Sequence, residues 1–385
     1  MNFMMKSAWS ALLLLPALGL ATPASAQATG GVQLADPSEP GSVIVYPKWR
    51  SGTVSVNGVT LPQTEIELGA VCPTGVLCPE HEPIKVRFHW VCGGSDKIDN
   101  KYICPSSDFD VFLTVDGKAV FDPENKTITG SQNHHVSLPP LNIDGTPCTR
   151  GYLIGYVVNI SDQPIKYDGL IGDAVIRNTA SSASAYRAIT IQADTALKNR
   201  DTIGLTADQF NANQASLAFD GQPGHYAAVT GQINGDVKYD DPVGPIFAAT
   251  NFTLLTLDVR QNQPNYPTFV NLDFWSEDEV IESTSLHFIC YGQFQLSAFD
   301  PNLTITQMGF RKGTFQSGPA FKTPIGGIAD NAGNVTLLGL IHTFEGGTTA
   351  VGDRTYMYEP YNNSIPVPTR FLPPCFVAPG QPTKC

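Results

Sequence analysis

The chain has 385 residues and a formal charge of −12, with 42% hydrophobic and 15% charged residues. The low charged fraction argues against intrinsic disorder, and the apolar content suffices for one large domain or two of ordinary size. The acidic balance contains no basic block, which argues against nucleic acid and anionic membrane surfaces as partners.

Residues 1–26 predict a Sec signal peptide. Lys6 supplies the positive charge, and the apolar run from Ala8 to Leu20 is too short to span a membrane comfortably. Ala24-Ser25-Ala26 then gives small residues at a cleavage site. We therefore expect Sec export to the periplasm, the outer cell surface or the extracellular space, with no transmembrane anchor. Residues 27–41 lack periodicity and predict a flexible N-terminal arm.

Alternation of apolar and polar residues predicts β-strands through most of the remaining chain, most clearly over residues 84–92. Helix signals are scarce, with one short turn expected at 206–211. Asn57-Gly58 and Asp116-Gly117 predict tight turns. Further strands are predicted at 42–46, 53–56, 59–61, 109–115, 119–121, 151–159, 169–176, 188–192, 252–259, 269–274, 285–295 and 335–344.

These patterns predict an all-β fold of antiparallel β-sandwich type, stapled by disulfides and with minimal helix. A first β-sandwich region is expected over 42–200 and a second β region over 201–345. The second region is either separate or continuous with the first sheet system. Residues 346–385 are rich in proline and predict a C-terminal tail.

An even number of cysteines in an exported chain predicts disulfides, and the spacing does not fit a zinc site. Loop closure favours near neighbours. The pairs expected on that basis are Cys92–Cys104, Cys72–Cys78 and Cys375–Cys385, which leaves Cys148 and Cys290 for a long-range bridge.

The chain lacks the sequence motifs of serine hydrolases, β-lactamases, zincins and nucleotide-binding proteins. Two groups of acidic residues fit a solvated loop, a calcium site or a pair of catalytic carboxylates. They are Asp108 with Asp110, and Glu277-Asp278-Glu279 with Glu282. Asp168 and Asp173 flank a short strand and are a second candidate pair for a metal or a loop hydrogen bond. No other cofactor is expected.

Histidines and aromatic residues give weaker signals. His134-His135 predicts a surface loop, and His89 a partly covered sheet residue on the side of its strand opposite the apolar face. Most aromatic residues lie within strand patterns and are expected in the core. Exposed tyrosines on a β-sandwich can form a flat platform for sugar rings. The candidates for such a surface are Tyr356, Tyr358 and Tyr361.

Five stretches, at 148–159, 164–176, 254–260, 264–269 and 361–364, together resemble a group of uncharacterised exported proteins of proteobacteria. The resemblance spans much of residues 42–371. It implies a bacterial envelope or extracellular setting. No activity is assigned to that group, so the resemblance carries no role to a numbered residue.

Three functional hypotheses follow. The first is a secreted structural or binding protein that contacts a glycan or a protein at the cell surface. The second is a self-associating envelope or matrix subunit, in which an edge strand or the arm at 27–41 pairs with a neighbour. The third is a carbohydrate-active enzyme that uses Asp110 with Glu277 or Glu279.

Overall fold

Antiparallel β-strands make up the fold. The computed structural model describes residues 39–72, 83–93, 96–98, 101–131, 136–142, 144–158, 162, 167–180, 182–191, 228–234, 237–241, 244–256, 268–276, 280–295, 312–317, 321–322, 333–334, 337–346, 351–357 and 359–361. In chain order the strands are β1 (Val43–Arg50), β2 (Thr53–Val56), β3 (Val59–Pro62), β4 (Thr64–Ala70), β5 (Ile84–Cys92), β6 (Asp96–Ile98), β7 (Lys101–Ile103), β8 (Ser106–Leu113), β9 (Lys118–Phe121), β10 (Arg150–Val158), β11 (Leu170–Thr179), β12 (Ser182–Arg187), β13 (Ile189–Ile191), β14 (Ala228–Asn234), β15 (Val237–Asp241), β16 (Gly244–Thr256), β17 (Thr268–Ser276), β18 (Ile281–Phe288), β19 (Tyr291–Gln295), β20 (Lys312–Ser317), β21 (Phe321–Lys322), β22 (Gly333–Asn334), β23 (Leu337–Gly346), β24 (Val351–Met357) and β25 (Glu359–Tyr361). The pairings between these strands are antiparallel, and the described residues form no helix. The predicted all-β antiparallel class is therefore confirmed.

The central sheet contains five strands in the order β13-β1-β10-β5-β8. Strand β5 follows the predicted alternation, because its apolar residues from Ile84 to Cys92 are fully buried on one face. On the neighbouring strand β10, Gly155 lies opposite Phe88. A Cβ atom at position 155 would lie 2.3 Å from Cε1 of Phe88, so glycine leaves the space that this ring occupies.

The second sheet contains four strands in the order β12-β11-β4-β9 and packs against this apolar face of the central sheet. We call the interior between them the first core. Aromatic rings fill its centre: the Phe121 ring centroid lies 5.5 Å from that of Phe88 and 6.1 Å from that of Trp90. The Trp90 indole N–H donates to the Ser137 carbonyl at 2.7 Å, so its polar group is satisfied within the core. Each such large apolar side chain contributes about 1.5–3 kcal/mol by burial.

The opposite face of the central sheet is also buried. Val45 on β1 and Ile154 on β10 belong to a second core, which also contains Leu255 and Tyr291 from later strands. The rings of Tyr152 and Tyr291 lie 6.2 Å apart across it. Every residue of β10 from Gly151 to Val158 is consequently buried. The central sheet is thus an interior layer, covered on both sides.

The remaining strands form two further sheets. The third has the order β22-β21-β17-β20-β14-β25 with β18 paired to β17, and the fourth has the order β15-β16-β23-β24 with β19 paired to β16. The buried rings of Phe252 on β16 and Phe274 on β17 lie 5.9 Å apart, so these two sheets pack against each other. Leu255, on the other face of β16, reaches the second core. The fourth sheet also contributes to the first core, because Leu340 on β23 is one of its buried residues.

Turn residues account for three connections. Asn57 and Gly58 join β2 to β3 with φ values of 50° and 81°, the left-handed conformation that a two-residue hairpin turn requires. Asp116, with φ 59°, lies in the predicted turn before β9. That turn passes from the central sheet to the second sheet rather than closing a hairpin. The strand predicted at 285–295 is two strands, β18 and β19, separated at Cys290 with φ 57°.

Two disulfides differ from the predicted pairs. Cys92 bonds to Cys148 and Cys104 bonds to Cys290, with Cα–Cα distances of 6.1 and 6.4 Å. The expected Cys92–Cys104 and Cys148–Cys290 pairs are therefore wrong. Cys92 and Cys148 lie in the first core, whereas Cys104 and Cys290 lie in the second. Because these cores occupy opposite faces of the central sheet, the short loop from Cys92 to Cys104 does not bring the two side chains together.

Other sequence predictions fall partly or wholly outside the described residues. Cys72 is disulfide-bonded, while Cys78, Cys375 and Cys385 lie outside, as do residues 1–38 and the helical turn at 206–211. Gly41, the last residue of the predicted arm, forms a β-bridge with Leu170. The predicted tail begins with regular structure, because β24 pairs with β23 and β25 pairs with β14.

The strands fall into two regions along the chain, and the second region extends to Tyr361, past the predicted limit of 345. Strands β1 to β13 build the central and second sheets, and β14 to β25 build the third and fourth sheets, apart from the two-stranded hairpins β2–β3 and β6–β7. Both regions belong to one compact unit, Val32–Cys385. The second core and the Cys104–Cys290 disulfide join them.

Replacing Cys104 and Cys290 together by alanine is expected to lower the free energy of unfolding by about 2–5 kcal/mol. The bond spans a sequence separation of 186 residues and constrains the unfolded chain across both regions. Urea unfolding of the oxidised protein measures the change. The matched control removes Cys92 and Cys148, whose separation is 56 residues, so the loop-entropy loss should be smaller. An unchanged urea midpoint in the Cys104/Cys290 variant would contradict a stabilising link between the regions.

Candidate functional site

The predicted acid Asp110 lies in an ion cluster on β5 and β8. The Arg87 guanidinium contacts it through Nε to Oδ1 at 2.9 Å and through Nη2 to Oδ2 at 3.2 Å. Lys85 Nζ contacts Oδ2 at 2.9 Å, and both cations also contact Asp162. Lys85 Nζ lies 5.7 Å from the centroid of the Phe112 ring. Both oxygens of Asp110 therefore contact cationic groups of the same sheet.

The other predicted acid of this strand, Asp108, belongs to a hydrogen-bonded chain with His89 and Tyr156. Asp108 Oδ1 lies 2.5 Å from His89 Nδ1, and His89 Nε2 lies 2.8 Å from the Tyr156 hydroxyl. The sequence predicts a partly covered His89, but its side chain is 0% exposed. The reason is that the second core covers this face of the sheet at β10, where Tyr156 is buried.

A carboxylate, an imidazole and a hydroxyl in a row resemble a proton relay in residue type. A relay of that kind needs its terminal hydroxyl to reach a substrate, whereas Tyr156 is fully buried. Hydrogen bonds among buried polar groups also fix side-chain positions, because leaving such groups unpaired is costly. This arrangement supports a structural role for the three residues at the margin of the second core.

Two aspartates show opposite electrostatic effects. Burial of Asp162 opposes its charge, but the Lys85 ammonium and the Arg87 guanidinium outweigh burial and lower the pKa of its carboxyl group. Burial raises the pKa of Asp173, and the carboxylate of Glu67 raises it further. Asp173 and Glu67 lie opposite each other on β11 and β4. Asp162 is therefore favoured as an anion, and Asp173 is disfavoured as one.

The speculative metal pair separates into two environments. Asp168 Oδ1 accepts a hydrogen bond from the Ser42 hydroxyl at 2.7 Å. This is a loop hydrogen bond of the kind predicted as the alternative to a metal site. Asp173 lies on the outer face of the second sheet. Within the described residues, no group of three or more histidine, cysteine or acidic side chains could hold a metal ion. Glu277, Asp278 and Glu279 lie outside those residues, and so do His134 and His135.

The tyrosines predicted as an exposed tail surface lie at strand positions. Tyr356 lies on β24 opposite Ile341, and Tyr361 lies on β25 opposite Ala228. Tyr358 is outside the described residues. Since β24 and β25 belong to sheets, these positions are part of the folded unit.

A surface that the sequence did not single out lies on the hairpin of β17 and β18. We define the outer strip as the eight residues of its outward face: Phe269, Asn271, Asp273, Trp275, Ile281, Ser283, Ser285 and His287. The alternate residues Val270, Leu272 and Phe274 are buried between the third and fourth sheets. The alternation over 268–276 was the available signal, but the predicted strand ended at residue 274 and aromatic residues were generally expected in the core.

The outer strip has a polar middle and apolar ends. The Ser283 hydroxyl donates to Asp273 Oδ1 at 2.6 Å, and the Ser285 hydroxyl donates to Asn271 Oδ1 at 2.7 Å. At one end Trp275 lies opposite Ile281, whose side chain is 57% exposed. At the other end the rings of Phe269 and His287 lie 6.0 Å apart. Trp275 and Phe269 are half-buried, so each ring is anchored in the sheet and keeps accessible surface.

Comparison with known proteins gives no family assignment. No protein-family model matches the chain, and no curated protein matches it. Among solved structures, the viral chemokine binding protein R17 encoded by rodent gammaherpesvirus Peru aligns with 86% of this chain and 88% of its own, at 9% identity and a TM-score of 0.11. A similarity this low carries no argument about fold or function. The described residues also contain no helix long and apolar enough to cross a bilayer.

Two Asp→Asn substitutions should change stability in opposite directions at neutral pH. Asp162→Asn is expected to destabilise the protein, because the ionised carboxylate is stabilised in the folded state by Lys85 and Arg87. This stabilisation is fully present at a pH above 3.8, the pKa of the carboxyl group in the unfolded chain. It is lost as the pH falls through the lower pKa of the folded state. Asp173→Asn should stabilise the protein, since its folded pKa is raised. The stability gain of Asp173→Asn over the wild type should decrease at lower pH, because the wild-type carboxyl group is then protonated and uncharged.

Thermal unfolding between pH 3 and pH 8 in the presence of EDTA measures both effects, and a parallel series with calcium in place of EDTA tests for a metal. Each variant serves as the charge-matched control of the other. A destabilised Asp173→Asn variant at neutral pH, or one that loses a calcium-dependent gain seen in the wild type, would contradict the electrostatic assignment and favour a metal ligand.

Tyr156→Phe is expected to lower the free energy of unfolding by about 1–2 kcal/mol, because it removes one hydrogen bond to a buried imidazole. Urea unfolding at pH 7 measures the change. Asn125→Ala, which removes an exposed side-chain contact with Asp122, is the control and should change stability by less than about 0.5 kcal/mol. Equal effects of the two substitutions would refute a specific role for the buried chain of hydrogen bonds.

Proposed function

We propose that the chain is a secreted structural or binding protein of the bacterial envelope or extracellular space. In this proposal Sec exports the chain, its disulfides form in an oxidising compartment, and its outer sheet faces contact a partner. The protein offers a rigid scaffold with preformed surfaces and carries out no chemical step.

The observation that carries the proposal is the burial of both faces of the central sheet, with one disulfide in each adjoining core. Two such disulfides are typical of secreted and periplasmic proteins. A scaffold that is fixed before binding loses little conformational entropy on association. This favours recognition by a preorganised surface.

The contacts of the polar groups support binding rather than catalysis. Asp110, the first carboxylate of the enzyme hypothesis, contacts Lys85 and Arg87 through both of its oxygens. His89 and Tyr156 lie in the interior. A glycosidase needs two carboxyl groups facing one cleft, one of them able to give up a proton. The geometry at Asp110 does not support that use.

The test begins with the full chain expressed in a proteobacterial host, followed by cell fractionation and N-terminal sequencing. The expected product starts at Gln27 and is recovered, oxidised, from the periplasm or the medium. The purified protein should then co-sediment with isolated cell envelopes. A cytoplasmic product that keeps Met1, or a monomer that hydrolyses glycans or peptides, would overturn the proposal.

Light scattering on size-exclusion fractions, with calcium and with EDTA, separates the structural alternative from a binding module. A calcium-insensitive monomer that co-sediments with envelopes supports a binding module. Large species that disappear on deletion of residues 27–38 would instead favour the self-associating envelope subunit.

A further inference from the structure

We propose that the outer strip on β17 and β18 is a binding platform for a neutral, unbranched polysaccharide of pyranose sugars. This inference rests on the proposed function and names the ligand class that a binding protein of this shape would take. It depends on three properties of the strip: its length, the order of its side chains and its charge.

The strip is long enough for an extended ligand. Phe269 and Trp275 point to the same face of β17 and are six residues apart, which corresponds to about 20 Å along a strand. Both rings are half-buried, and the exposed residues Asn271, Ser283 and Ser285 lie between them. An accessible surface of this form is a shallow track along the sheet. It suits a chain of several sugars better than a single small molecule, which binds in concave sites.

The order of side chains matches the chemistry of a sugar polymer. Pyranose rings present apolar C–H faces and polar hydroxyl edges, and aromatic rings with accessible surface stack against the former. Trp275 with Ile281 forms one apolar end, and Phe269 with His287 forms the other. The polar pairs Asp273–Ser283 and Asn271–Ser285 lie between these ends.

The polar pairs are already oriented before a ligand arrives. Asp273 holds the Ser283 hydroxyl at 2.6 Å, and a carboxylate can accept further hydrogen bonds from neighbouring hydroxyls. Asn271 uses its carbonyl oxygen for Ser285 at 2.7 Å, and its amide nitrogen carries two donor hydrogens. The strip therefore offers both donors and acceptors, as recognition of hydroxyl groups requires.

Charge excludes an anionic polymer. Asp273 is the acidic residue of the strip, and the complete chain carries a net charge of −12. An anionic polysaccharide would be repelled by this field, whereas a neutral polymer would not. The paired serine, asparagine and aspartate groups at the centre of the strip can exchange hydrogen bonds with neutral hydroxyls.

The test measures binding of cellohexaose, laminarihexaose and maltohexaose to the oxidised full-length protein by isothermal titration calorimetry. At least one hexasaccharide should bind, and the corresponding disaccharide should bind at least tenfold more weakly, because it spans only part of the strip. Trp275→Ala and Phe269→Ala should each weaken hexasaccharide binding at least tenfold. Asn271→Ala should weaken it by a smaller factor, and Trp275→Phe should keep most of the affinity.

Val59→Ala is the matched control, because it truncates an apolar side chain that is 58% exposed on β3. It should bind as the wild type does, and circular dichroism verifies that every variant is folded. Equal affinity of Trp275→Ala and wild type, or no binding of any hexasaccharide, would overturn the platform.

Envelope co-sedimentation separates this failure from failure of the proposed function. If the wild type and the strip variants co-sediment with envelopes alike while no hexasaccharide binds, the platform is refuted and the binding role stands. If the strip variants change only the oligomeric state of the protein, the surface is a contact between copies of the chain, and the polysaccharide assignment is equally refuted.

Discussion

Burial of both faces of the central sheet is the constraint on which the rest of the structure depends. Strand β10 shows it most directly, because every residue from Gly151 to Val158 is buried. A strand in this position must be apolar on both sides, as in sheets covered by two layers. Its own side chains point to both sides: Leu153 belongs to the first core, and Tyr156 belongs to the second. The two β regions cannot separate without exposing one of these faces.

This constraint explains why polar residues near the second core are paired. Strand β5 runs from the ion cluster at Lys85 and Arg87 to fully buried residues at His89 and Val91. Toward the buried end of the strand, other protein groups take the place of water as partners of its polar side chains. The half-buried cations meet Asp110 and Asp162, and the buried imidazole meets Asp108 and Tyr156. Pairing thus follows burial along one strand.

The sequence predicted what depends on local pattern. Period-two alternation identified β5 and β8, and Asn-Gly identified the β2–β3 turn, because both signals arise within a few residues. The disulfide pairs depend on which face each strand presents to which layer. Cys92 and Cys104 are close in sequence but belong to cores on opposite sides of one sheet. Loop-closure entropy describes the unfolded chain and contains no information about that separation.

The same distinction explains the candidate sites. Asp110 was a candidate catalytic or calcium-binding carboxylate, and His89 was expected to be only partly covered. Their neighbours in sequence did not show the cations that pair with Asp110 or the layer that covers His89. Conversely, Trp275 looked internal because aromatic residues in strands are usually buried. Its outward position follows from the hairpin register, in which Trp275 lies opposite Ile281 while Phe274 points inward. A single step along the strand moves a side chain from one face to the other, so a residue's type alone could not place it.

The outer face of the second sheet and the outer strip both carry exposed described residues, and the two faces differ in chemistry. On the second sheet, Glu67 contacts Lys118, and Glu65 lies 3.5 Å from Arg177, so ion pairs dominate this face. Exposed ion pairs of this kind contribute little net energy and are well solvated. The outer strip of β17 and β18 instead combines half-buried aromatic rings with short neutral hydrogen-bonding groups and the carboxylate of Asp273. Water is more readily displaced from such a surface, because apolar ring area gains from burial and the amide and hydroxyl groups can exchange water for ligand hydroxyls. Between these two faces, a ligand therefore gains more binding energy at the outer strip.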